Sequence, residues 1–111
     1  MRSAFLAGIV FSFVGATASA SADVPAFKST CVKVTYGQTK RVCVASNGKT
    51  LSSSFVWGRN PTTAVHTGCT LQGDAIRCSG GKWKNATGTG THPPIVVKMA
   101  KGRPVSAAVT N

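Results

Sequence analysis

The ten residues Cys69-Thr-Leu-Gln-Gly-Asp-Ala-Ile-Arg-Cys78 constrain this chain more than any other stretch. Gly73-Asp74 reads as a two-residue turn. Glycine at its first central position suits a type II′ turn, which needs positive φ there. The register then follows by counting outward: Gln72 faces Ala75, Leu71 faces Ile76, Thr70 faces Arg77, and Cys69 faces Cys78. The two cysteines fall on a non-hydrogen-bonded pair, where Cα atoms approach to about 4.5 Å, within reach of a disulfide. Cys69, Leu71, Ile76 and Cys78 also share one apolar face. A hairpin closed by its own disulfide is the reading these residues favour.

The remaining cysteines, Cys31 and Cys43, flank a second hairpin. Val32, Val34 and Tyr36 alternate on one face of the first strand, Gly37-Gln38 interrupts it, and Val42 and Val44 resume the pattern. Here the cysteines share their face with Lys33 and Arg41, and the valines point the other way. Four cysteines allow three connectivities, of which the local one is preferred and the other two tie one hairpin to the other. A zinc site fits poorly, because no Cys-x-x-Cys pair occurs.

Strand patterns continue along the chain. Asn47-Gly48 is a strong hairpin signal. Leu51, Ser53, Phe55 and Trp57 share a face, and Asn60-Pro61 reads as a break. Ala64–Thr67, Ile95–Met99 and Val105–Val109 are further candidates. No stretch carries a helical face. The expected fold is all-β: a small, disulfide-stapled antiparallel sandwich or barrel built from hairpins. Strand patterning leaves the choice between the two open. Ser79 to Pro94, rich in glycine and ending in Pro93-Pro94, reads as a long exposed loop.

Residues 1–22 have the organisation of a secretory signal peptide: Arg2, an apolar run from Ala4 to Ala16, then small residues ending at Ala22. The run is too short for a membrane span. Residues 23–111 then form one small domain, secreted to an extracellular, oxidising compartment where disulfides persist. A domain of this size needs such staples.

Thirteen Lys and Arg stand against two acids, Asp23 and Asp74. One cation, Arg2, belongs to the leader. Such a surface attracts polyanions. The expected binding residues are Lys82, Trp83 and Lys84, where an indole between ammonium groups suits a ring beside an anion. Lys98, Lys101 and Arg103 are expected to assist from a basic, flexible end. The expected partner is an anionic polymer or surface (cell-wall polysaccharide, membrane, nucleic acid or an acidic host protein), bound by a monomer. Asn85-Ala86-Thr87 is a glycosylation sequon at Asn85.

The shortage of carboxylates removes glycosidase chemistry and calcium binding. No metal or other cofactor is implied. His66 and His92 with nearby cations are a minimal kit for metal-free ribonuclease chemistry, one as base and one as acid. That is the enzymatic alternative to a non-enzymatic binder; a structural wall or spore-coat component is the third. The layout of leader, short basic β-rich body and two cysteine pairs resembles small secreted effectors and toxin-like or antimicrobial proteins. The resemblance implies secretion and a non-enzymatic action, and carries no site residues.

Overall fold

The structure is a computed structural model that describes residues 23–37 and 39–110. The leader-like segment of residues 1–22 lies outside them. Eight strands follow in order: β1 (Phe27–Tyr36), β2 (Thr39–Ser46), β3 (Leu51–Trp57), β4 (Asn60–Gln72), β5 (Ala75–Asn85), β6 (Gly88–His92), β7 (Ile95–Ala100) and β8 (Arg103–Val109). They run up and down as successive neighbours, with β4 paired to both β3 and β5. Strands β6 and β7 both pair with β5 and lie end to end, separated by Pro93-Pro94. They act as one stave, so the eight strands build a seven-stave barrel. Parallel pairing of β1 with β8, through Lys33–Ser106 to Thr35–Ala108, closes the wall. Every other pairing is antiparallel. The alternative left open by the strand pattern thus resolves to a barrel, whose closure pairs the outer sides of β1 and β8 and, among the described strands, leaves only short β6 with an unpaired side.

Both cysteine pairs are local. Cys69 bonds Cys78 and Cys31 bonds Cys43, each directly across its hairpin. Gly73 has φ of 64°, as its turn requires, and the four expected pairs of that hairpin all form. Cys78 is buried in the interior, whereas the Cys31–Cys43 bond lies on the outer face with Lys33 and Arg41. Asn47 caps the β2–β3 turn, its Oδ1 accepting from the backbone N–H groups of Lys49 and Thr50 at 2.8 Å each.

Three expectations change. Residues 79–94 are not a loop: they form the upper part of β5, a tight turn and all of β6. Lys98 to Arg103 is not a flexible end but the β7–β8 hairpin, turning at Lys101-Gly102. Asn60-Pro61 does not break the chain; it starts β4, with Pro61 opposite Val56 and ahead of the first β5 pair at Thr63. Proline is tolerated at such a strand start, where its missing N–H costs no ladder bond.

The interior divides along the axis. One end is filled by a plug of Val32, Val42, Val44, Leu51, Ile76, Ile95, Val97 and Met99, joined by Val24. The other end is lined by aromatic and polar groups. The division is sharpest on β4 and β5, where the inward positions shift phase. On β4, Thr62, Ala64 and His66 point in, then Cys69 and Leu71; on β5, Ile76 and Cys78 point in, then Gly81, Trp83 and Asn85. Two successive residues on each strand face outward at the shift. Gly68, with φ of 65°, makes it possible on β4, and its missing side chain leaves room for Ser79 opposite.

Candidate functional site

The open end of the barrel is a cup of about 320 Å³. Turns at Gly37, Gly58-Arg59 and Ala86-Thr87 ring it. Tyr36 ends β1 and packs against Trp57 with ring centroids 4.9 Å apart. Phe55 lies deeper on β3, 6.4 Å from Tyr36. Trp83 enters from β5 and lies flat over Gly90 of β6, where an added Cβ would meet the indole at 2.7 Å. Alternation on β3 and β5, the two neighbours of β4, thus supplies aromatic rings to the wall of the opening.

His92 forms the floor. Its ring meets Tyr36 at 5.6 Å, Phe55 at 5.8 Å and His66 at 4.7 Å, each edge to face. Its Nδ1 donates to the Pro93 carbonyl at 2.8 Å, since a carbonyl can only accept. That fixes the neutral tautomer and leaves Nε2 as a lone-pair acceptor. Beneath it, His66 is fully buried and shares a 2.7 Å hydrogen bond between its Nε2 and Ser53 Oγ. His66 Nδ1 has no partner among the described residues. Burial first, and then the neighbouring His92, hold the His66 pKa down to about 4; burial also lowers that of His92. Both imidazoles are therefore neutral at pH 7. Burial raises the Tyr36 pKa.

The fold brings the two histidines together, which their separation in sequence gave no reason to expect. Their arrangement does not form a ribonuclease cradle. Only His92 lines the cup, while His66 is sealed behind it against Ser53. An acid and a base on opposite sides of a phosphate would both have to reach it.

The Lys82-Trp83-Lys84 triplet is split by strand alternation. Trp83 points inward, whereas Lys82 and Lys84 stand exposed on the outer wall. Lys98, Lys101 and Arg103 are exposed at the other end of the barrel. Lys98 pairs with Ala75, seven residues from Lys82 along β5, a distance of roughly 23 Å at strand rise. The six expected binding residues thus form two groups. The mouth gains cations that motif reading missed: Lys40 and Arg41 at the start of β2 and Arg59 in the β3–β4 turn, all exposed. Both carboxylates belong to the far end, Asp74 in the β4–β5 turn and Asp23 beside the plug residue Val24.

Asn85, the sequon residue, is half-buried at the cup wall. Its Nδ2 donates to Thr62 Oγ1 at 3.0 Å, and its Oδ1 accepts from the backbone N–H and hydroxyl of Thr87. No family model matches the chain, and no curated protein or solved structure matches it either.

Proposed function

We propose that this protein is a secreted, non-enzymatic effector or toxin-like module that grips an anionic polymer with the mouth of its barrel. Cell-wall polysaccharide is the favoured target. The observation that carries this reading is the placement of charge around an aromatic opening. Lys40, Arg41, Arg59, Lys82 and Lys84 surround the mouth, and both acids lie at the opposite end. Lys28, Lys49, Arg77, Lys98, Lys101 and Arg103 are exposed nearer the other end, where the two acids offset part of their charge. The mouth is thus the more positive end, and its field, summed over a Debye length of about 8 Å at physiological salt, favours a polyanion there. Two disulfides fit an oxidising, extracellular setting, and the leader-like first 22 residues supply the route there.

Heparin resin at about 0.15 M salt tests the reading. The mature protein is expected to be retained. Lys82→Ala/Lys84→Ala is expected to elute at clearly lower salt, with a larger shift than Lys98→Ala/Arg103→Ala at the other end. Elution of the wild-type protein in the void, or a larger shift for the far-end pair, overturns it.

A further inference from the structure

The charged rim and the cup behind it differ in chemistry. Among the described residues, no Lys, Arg, Asp or Glu lines the cup. Any charge that entered would leave water without a counter-charge, at a cost of several kcal/mol. Whatever occupies the cup is therefore uncharged. Its walls then ask for two things at once. Tyr36, Trp57 and Trp83 offer flat apolar surfaces. Asn60, Thr62, Asn85 and Thr87 line the β4–β5 side of the opening, where the Thr62 and Thr87 hydroxyls already donate, to the Asn60 carbonyl and Asn85 Oδ1, and are left as acceptors. At the floor, His92 Nε2 offers an acceptor, because Nδ1–H is held by the Pro93 carbonyl.

A pyranose ring presents those complementary surfaces. Its C–H faces are apolar and its hydroxyls radiate from the rim in all directions. A nucleobase has π-faces too, but few N–H donors, and it would leave several of the acceptors on the wall and floor desolvated and unpaired, whereas each pyranose hydroxyl brings a donor. An alkyl chain would leave all of them so. The volume of about 320 Å³ lies at the low end for small-molecule sites, enough for one or two rings and not for a folded chain.

We infer that the cup seats one uncharged pyranose ring, with a sugar hydroxyl donating to His92 Nε2. The inference rests on the proposed function only for its polymer, since the ring would belong to a glycan whose acidic groups lie on the cationic rim. A glycan of this kind alternates or intersperses neutral and acidic sugars. Asn85 has a particular place in it: its Nδ2 is the atom a sequon glycan would use, and it is tied to Thr62 inside the wall.

The probes are uncharged trisaccharides of glucose, galactose, mannose and N-acetylglucosamine, titrated into the disulfide-intact mature protein and followed by tryptophan fluorescence. At least one is expected to saturate below about 10 mM. Its affinity is expected to change less than about twofold between low and high salt, because screening acts only on charges. Nitrogen NMR of the imidazoles is expected to show His92 Nε2 shifting while His66 stays still. Trp57→Ala, at a ring already 44% exposed, is expected to weaken binding about tenfold or more. His92→Phe, which keeps the ring and removes the acceptor, is expected to weaken it with the fold retained. No saturation by any trisaccharide overturns the inference. So does stronger saturation by an uncharged nucleoside or a neutral detergent, or unchanged affinity in both variants. Failure here leaves heparin retention standing, and loss of heparin retention leaves trisaccharide binding standing, so the two readings fail separately.

Discussion

Gly81 and Gly90 shape the cup by what they leave out. At Gly81 an added Cβ would meet the Val65 carbonyl oxygen at 2.5 Å and the His66 Cα at 3.0 Å, both backbone atoms with no room to yield. At Gly90 it would meet only the Trp83 indole. Gly81→Ala is therefore expected to destabilise the barrel by about 2 kcal/mol or more, by prising β5 from β4. Gly90→Ala is expected to cost less and instead to push Trp83 into the opening. Chemical denaturation checks the first; a red shift of tryptophan emission with little change in midpoint checks the second. An equal loss from the two would contradict the distinction. These glycines also explain why the site was hard to read. In sequence, Gly80-Gly81 and Gly88-Thr-Gly-Thr91 carry no apolar alternation and resemble a loop. In the fold they are strand positions, and at Gly81 and Gly90 a side chain would collide with the His66 backbone or the Trp83 indole. The inward face at this end is Ser53, Thr62, Ala64 and His66, small or polar residues that an alternation test scores as outward.

Among the elements, the hairpins were the most legible. The Cys69–Cys78 register followed from one turn and one apolar face, because in a tight hairpin local geometry decides everything. The phase shift at Gly68 and Ser79 was not legible, since it depends on two strands changing face together. The two disulfides bridge similar separations, 12 and 9 residues, so loop entropy should stabilise them nearly equally, at about 3 kcal/mol each. They differ in surroundings. Cys78 is 2% exposed and packs in the apolar plug, whereas the Cys31–Cys43 bond lies on the outer wall. Cys69→Ala/Cys78→Ala is therefore expected to lower stability more than Cys31→Ala/Cys43→Ala, by a further ~1–2 kcal/mol of lost packing. Urea midpoints of the two double variants compare them directly, and a larger loss from the outer pair would refute the assignment.

On the scale of the whole molecule, charge and proton binding act through burial. The unfolded chain has ordinary imidazoles near pH 6.5, while folding holds His66 to about 4 and lowers His92 as well. The folded state thus binds fewer protons across this window. The histidine contribution is fully present above pH 6.5 and is lost as pH falls toward 4, on the order of 3 kcal/mol for His66. Urea midpoints are expected to drop between pH 6.5 and pH 4, and a flat profile would show that the histidines are not sealed. Barrel closure, unlike the hairpins, could not be read from the strand pattern, because it depends on how strands tilt and stagger around the axis. It joins Lys33 to Ser106, residues near opposite ends of the described chain. That one seam sets an order of assembly. Each hairpin can zip as soon as its own residues are free, since its contacts are local. The seam must wait for β8, the last strand, and carries the largest entropic cost of ring closure. Until then β1 and β8 remain as raw edges, open to pairing with any other unfinished chain. Slow, crowded folding is therefore the condition under which this protein is most exposed to aggregation, however stable the finished barrel is.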